Sequence, residues 1–468
     1  MAGIMSHKEM VGTDIRDAQE LGSDKFDDEH VAAKYRGTDA DRHEMEMLGK
    51  KQVLRRNFNF LTMLGFASTC IASWEGILTY LTFILIDGGT PLLFWGFIAC
   101  AIGQTLVYAS IAEMASMSPT AGGQYHWVSE FAPPRYQQLL SYLSGWLTAI
   151  GWQVYNASVC FLVGTIIQGL IVLNDETYIF QRWHGTLLAI AVVVFSISFN
   201  TVLASRLPVI EGMVLALHIL GFFGIIIPLW VMAPRAPADV ALLHFINDGG
   251  WPTTGLSAMV GLLAPIAVLI GYDCSVHMSE EIKDASVTLP HAALGSTTGY
   301  PFIEMFYQAT GRDRGLPGHR WLSGVNPNWN IPLPAVAVTL TIAALLSLIN
   351  IGSSVALQAI TSLGALSTII SYYLTIGCLV WRRLSGGPLP PRRWSLGRWG
   401  LPINIAALLF LTPLTFFITW PLVTPVDAAT FNWSSVMLVG VLIISLLYYV
   451  FKARKEYVGP VMDVHRTE

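Results

Sequence analysis

The sequence is short of charge. Asp, Glu, Lys and Arg supply 12% of its 468 residues, where a soluble domain carries about a quarter. Apolar residues supply 53%, and the mean hydropathy is +0.53. That balance excludes an ordinary soluble domain and predicts a polytopic membrane protein. Cysteine is scarce as well: Cys70, Cys100, Cys160, Cys274 and Cys378 all fall in apolar stretches. An odd number with none in an outer loop excludes a disulfide framework. There is no CxxC and no metal-ligand spacing, so neither a metal nor a cofactor is expected. No nucleophile–base pairing and no phosphate-binding loop is visible, which argues against a membrane-embedded enzyme. No nucleic-acid partner is expected. The N-terminus is long and polar, so no cleavable leader is expected and the first span acts as the insertion signal.

What is present is a series of long apolar runs behind a polar tail. Residues 1–57 mix charges with almost no apolar clusters, and read as a disordered cytosolic tail. A span needs roughly 20 apolar residues. Ten segments qualify, near 62–86, 92–116, 138–172, 185–204, 208–232, 254–278, 333–350, 355–381, 402–422 and 433–451. The third is long enough to tilt strongly or to extend past the bilayer. Lys50, Lys51, Arg55 and Arg56 place the N-terminus inside. The loops then predicted inside carry Arg135, Arg206, Lys283, Arg312, Arg314, Arg320, Arg382, Arg383, Arg392, Arg393 and Arg398. The C-terminal tail, 453–468, adds Arg454 and Lys455, so both termini are expected in the cytosol and 58–452 forms the membrane domain. The stretch 291–311 is too polar and too broken to span, and reads as a loop.

Two spans are interrupted where lipid tolerates no free backbone group. The first runs from Ser68 through Ser73-Trp74-Glu75-Gly76. Its hydroxyl residues can bond back to carbonyls one turn earlier, which leaves Glu75 unexplained. The second, Leu262 to Asp284, contains Pro265, Gly271 and Asp273. A carboxylate at that depth should face a cavity or a partner. Such a pair of interrupted spans, one early and one midway, points to a secondary transporter built of inverted repeats. The turn Ser118-Pro119-Thr120-Ala121-Gly122-Gly123 follows the second span. His218 and His277 read as packed histidines first and as proton relays second. Trp146, Trp152, Trp420 and Trp433 read as interfacial or packing aromatics, whereas Trp74, beside Glu75, is placed to stack on a substrate ammonium. The Arg-rich loop 382–400 reads as a topology signal, with attraction to anionic lipid second.

Glu113, PTAGGQYHW (Pro119 to Trp127), GYDCSVHMSEE (Gly271 to Glu281) and RDRGLP (Arg312 to Pro317) resemble the signature motifs of fungal amino-acid permeases of the amino acid–polyamine–organocation superfamily. NDGGWPTTGLS (Asn247 to Ser257) and NIGSSVALQAI (Asn350 to Ile360) are similar to its choline and GABA permease branch. The resemblance implies an all-α inverted-repeat transporter fold of twelve helices, with helices one and six unwound at the substrate site. Carried over by motif, Ser73, Trp74, Glu75 and Gly76 occupy the break in helix one. Ala267, Ile270, Gly271 and Asp273 occupy or adjoin the break in helix six. The implied function is alternating-access transport of an amino acid or related amine such as GABA or choline, often coupled to a proton, in a membrane expected to be the plasma membrane. The apolar lengths that should precede Gly295 and follow Gly311 are absent, so this chain reads as ten spans, lacking helices seven and eight. The alternative reading is a truncated, non-transporting paralogue or a nutrient sensor.

Overall fold

The computed structural model describes residues 35–50, 52, 54–71, 73–203, 206–233, 237–293, 333–352, 355–457 and 459–460. Among them there is no β-strand, only two isolated backbone bridges. Helix is what an apolar chain in lipid must form, because it satisfies its own N–H and C=O groups. The elements are α1 Asp39–Met47, α2 Phe60–Ile71, α3 Ser73–Thr79, α4 Leu81–Ile86, α5 Gly89–Met117, α6 Gln124–Phe131, α7 Gln137–Asn174, α8 Arg182–Val202 and α9 Leu207–Met232. They continue as α10 Ala238–Leu243, α11 Thr254–Gly261, α12 Leu263–Ala267, α13 Asp273–His277, α14 Ala285–Ala293, α15 Leu333–Ser347, α16 Ile349–Gly352, α17 Ala356–Leu384, α18 Gly400–Phe417 and α19 Ser434–Glu456.

All ten expected segments are helical. Among the described residues seven helices are long and apolar enough to cross a membrane by themselves. The other three segments are the two interrupted ones and the short α15. Most of 291–311 lies outside the described residues.

The scaffold is the crossing of α7 and α17. At 38 residues α7 reaches about 57 Å at about 1.5 Å per residue, well beyond a bilayer core. It packs against α6, α8, α15 and, most extensively, α17. The close approach uses small residues: a Cβ on Gly364 would meet the Tyr155 backbone nitrogen at 3.1 Å. Hydroxyl pairs seal the seam, Thr148 Oγ1 with Ser371 Oγ at 2.7 Å and Ser158 Oγ with Thr361 Oγ1 at 2.6 Å. Such pairs satisfy one another where water is absent. The four described cysteines are buried, with no disulfide among them. At the opposite extreme, none of the spanning window of α9 is buried, and its packing partner is α2.

The two interrupted segments lie side by side and antiparallel. At one end Phe58 bridges to Ile282, with Phe58 N donating to the Glu281 carbonyl at 3.1 Å and Lys283 N to the Phe58 carbonyl at 2.9 Å. At the other end Asp87 bridges to Asn247, with Gly88 N donating to the Ile246 carbonyl at 2.9 Å and Asp248 N to the Ile86 carbonyl at 2.9 Å. Residues 58–88 are thus matched end to end with residues 246–283.

Residues 35–57 depart from the expectation of a disordered tail. Thr38 and Asp41 form a capping box that starts α1. Asp41 then takes Arg56 Nη1 at 3.1 Å, both side chains being almost fully buried. Asp41 also accepts from Asp284 N at 2.9 Å and Ala285 N at 3.1 Å. Arg56 donates to the Ile282 carbonyl, and Lys50 pairs with Glu280 at 2.6 Å and bonds Thr120. Ser286 donates to Glu44 at 2.5 Å, and burial pushes the Glu44 carboxyl up from its ordinary value. Charge composition alone does not register partners supplied by the membrane domain, and those partners order the segment.

Removing one partner of a buried ion pair costs about 3–5 kcal/mol. Arg56→Ala is therefore expected to release residues 35–56 to limited proteolysis while the helical bundle stays intact. Protection equal to that of the unaltered chain would contradict the clamp.

Candidate functional site

The second interrupted segment opens after α12. Leu263–Ala267 ends, and the chain is non-helical to Tyr272 before α13 begins. Gly271 has φ 146°, a conformation that favours glycine. Two of the carbonyls freed by the break, those of Ala267 and Leu269, are taken up by side chains. Tyr155 OH donates to the Ala267 carbonyl at 2.7 Å. Tyr108 OH donates to the Leu269 carbonyl, which also receives Gln104 Nε2 at 3.4 Å. The amides are treated differently. The N–H of Tyr272 is turned to the Tyr108 hydroxyl oxygen, whereas among the described residues the N–H groups of Ile270, Gly271 and Asp273 find no acceptor. An unpaired buried N–H costs about 1–3 kcal/mol, and several of them converging invite an anion.

The first interrupted segment meets this break at Gly76. A Cβ there would come within 2.7 Å of Val268 Cγ1. The break in helix one is not open at Ser73-Trp74-Glu75-Gly76. These residues start the short helix α3, separated from α2 by position 72, which lies outside the described residues; a further interruption follows at Tyr80. Of Ser73 only the backbone is described. Gly76 therefore touches the helix-six break directly, at Val268 between Ala267 and Ile270.

Trp74 and Glu75 point elsewhere, onto α9. Trp74 Nε1 donates to His218 Nδ1 at 3.2 Å, and Glu75 Oε1 lies 2.6 Å from the same nitrogen. The indole packs on the His218 and Phe222 rings at 5.9 and 6.3 Å between centroids. Trp74 thus lines α9.

Asp273 is not brought to Glu75. It is fully buried, with Gln124 Nε2 at 2.7 Å and Trp152 Nε1 at 3.0 Å on Oδ2 and Tyr372 OH at 2.5 Å on Oδ1. His277, one turn on, donates Nδ1–H to the Ala121 carbonyl at 2.8 Å and sets Nε2 3.8 Å from Asp273 Oδ2. Asp273 is therefore a junction tying α13 to α6, α7 and α17. Neutral donors balance it, so no cation between Glu75 and Asp273 is required. Trp152, read as a packing aromatic, is a donor here. Tyr108, Tyr155 and Tyr372 were not singled out in the sequence; a tyrosine in mid-span, whose hydroxyl needs a partner, was the available signal.

The remaining motif residues hold the end of the bundle that carries Lys50. Glu113, fully buried, pairs with Arg383 and with Arg392 Nε at 3.1 Å, and accepts from Ser395 Oγ at 3.0 Å. The Arg-rich loop is fastened to α5 by this carboxylate. Among the described residues no group of His, Cys, Asp and Glu is arranged to hold a metal ion.

Asp273→Ala would orphan three donors, at about 1–3 kcal/mol each. It is expected to lower the melting temperature of the detergent-solubilised chain by several degrees, and Asp273→Asn, which keeps one acceptor, by less. Equal melting of both variants and the unaltered chain would contradict the junction.

The model of the amino acid permease family matches residues 58–307 and 291–446. The chain is 27% identical to the choline transporter of Saccharomyces cerevisiae, over 86% of this chain and 83% of that protein. It is 26% identical to an amino-acid permease of Arabidopsis thaliana, over 91% of this chain and 97% of that protein. It is 22% identical to an amino-acid permease of Neurospora crassa, over 90% of each chain. With that match covering most of its length, the chain belongs to the amino acid permease family, and is an integral membrane transporter rather than an enzyme.

Proposed function

We propose that the chain moves an amino acid or a related amine, such as GABA or choline, by alternating access about the paired interrupted segments. The observation that carries this reading is the break at 268–272. Its Ala267 and Leu269 carbonyls are capped by tyrosines, the Ile270, Gly271 and Asp273 amides find no acceptor among the described residues, and Gly76 abuts Val268 within it. A substrate carboxylate suits those N–H groups, and Glu75 is the open carboxylate of the neighbouring segment for an ammonium. The name of the yeast relative supports a quaternary amine as one candidate. The positive-inside pattern supports both termini in the cytosol, and the plasma membrane is the compartment proposed.

One observation favours a second reading. The alignment with the choline transporter runs over 471 residues, more than the 468 of this chain. That relative therefore carries interior residues without a counterpart here. This supports the absence of helices seven and eight, and with it a non-transporting paralogue or sensor. Residues 294–332, where the deletion would fall, lie outside the described residues.

Uptake of radiolabelled choline, GABA and a panel of amino acids by cells expressing this chain separates the two readings. Uptake above vector control supports the transporter, and none for any substrate at normal surface expression supports the sensor or remnant. In a transporting chain, Gly76→Val is expected to abolish uptake, since the added side chain must displace Val268. Glu75→Gln is expected to lower it about tenfold or more, the loss of a charged contact of about 1.5–3 kcal/mol. Surface expression should hold in both variants, and normal uptake by either would refute the assigned role.

A further inference from the structure

His218 meets the interrupted segment through one atom. The indole N–H of Trp74 points at His218 Nδ1 from 3.2 Å, and Glu75 Oε1 stands 2.6 Å from that same Nδ1. An imidazole nitrogen carries a proton or a lone pair, never both. Bare, Nδ1 accepts from Trp74, which can only donate, and offers an ionised Glu75 nothing. Protonated, it donates to Glu75 and gives up Trp74. The two contacts exclude each other, yet the fold places both partners at bonding distance.

The surroundings confine the choice to that nitrogen. Trp74 is wedged against α9, where a Cβ on Gly221 would come within 3.2 Å of its ring. Phe222 closes a second side, edge-on at 6.3 Å. The Glu75 side chain is 38% exposed, so it is open on one side, and its Oε2 has no partner among the described residues. α2, the element packed on α9, carries no acidic or basic residue, and the side chain of its thiol, Cys70, lies outside the described residues. Glu75 is the charged group recorded against His218 among the described residues.

We propose that His218 is the proton-binding and specificity-setting residue of the Glu75 site. Neutral His218 in its Nε2–H tautomer rests on Trp74 and leaves the Glu75 carboxylate to an organic ammonium. Protonated His218 takes that carboxylate itself. Proton and substrate cation then compete for one anion, and the site selects primary or quaternary ammonium compounds. The ammonium half of the proposal rests on the substrate reading given above; the proton site stands on its own geometry. Affinity for the cation falls as pH falls and the imidazole gains its second proton.

The test uses the full chain in lipid nanodiscs, with the monodispersity of each variant checked first. Tryptophan fluorescence is titrated from about pH 8 to about pH 5, and subtracting the Trp74→Phe trace isolates the Trp74 signal. Protonated imidazole quenches an adjacent indole. The Trp74 signal is expected to titrate in the unaltered chain and to be flat in His218→Gln, whose amide oxygen still accepts from Trp74. A flat signal in the unaltered chain, or the same titration in His218→Gln, overturns the proton site. In parallel, binding of radiolabelled choline and GABA is measured at both ends of the range. Affinity is expected to be about tenfold weaker at the acid end, the equivalent of one lost ionic contact, and independent of pH in His218→Gln. Equal pH dependence in that variant overturns the competition. No binding of either probe at any pH, with the fluorescence titration intact, overturns the substrate reading and the ammonium half with it, and leaves the proton site supported.

Discussion

A helix that stops inside a membrane must account for every backbone group it releases, and this is the constraint on which the structure turns. Val268 to Tyr272 leave the helix with no water to serve them. The fold answers with hydroxyls from two different helices, Tyr155 of α7 on the Ala267 carbonyl and Tyr108 of α5 on the Leu269 carbonyl. Those tyrosines have to be held to a fraction of an ångström. The long seam of α7 with α17, built on small residues and hydroxyl pairs, supplies that rigidity for Tyr155. The Ile270, Gly271 and Asp273 amides find no acceptor among the described residues, and open N–H groups are what recognises an anion.

The same economy explains the buried charges. Asp273, Glu113 and Asp41 each sit where an unpaired carboxylate would be ruinous, and each gathers partners from separate elements. Asp273 collects donors from α6, α7 and α17, Glu113 fastens the Arg-rich loop to α5, and Asp41 draws Arg56 and two backbone amides to one point. Buried ionic groups add little net stability over apolar packing, but removing one partner is costly. Their effect is to fix register. Asp41 lies at the end of the bundle that carries Lys50 and Arg56, where the two interrupted segments also join through Phe58 and Ile282. Any movement that opens this end has to break those contacts.

Much of this was legible in the sequence. Apolar length gave the helices, because in lipid length and hydropathy nearly determine structure. The interruption at Gly271 was legible for the same reason, since a glycine and a carboxylate in mid-span have no bland place. Partner choice was not legible. Glu75 and Asp273 look alike in sequence, each a carboxylate in a broken span, yet one faces α9 and the other a closed cluster of neutral donors. That difference depends on rotation about helix axes that packing sets. The order of residues 35–57 was hidden likewise, because Asp41, Lys50 and Arg56 find their partners more than two hundred residues away as well as close by.

The substrate is proposed to be received by the open amides of the helix-six break, those of Ile270 and Gly271. A structure of the full chain with bound GABA tests it most directly. The account predicts a carboxylate within hydrogen-bonding distance of the Ile270 or Gly271 N–H, with the ammonium directed toward Glu75. A substrate bound elsewhere, with those amides still unpaired, would contradict it.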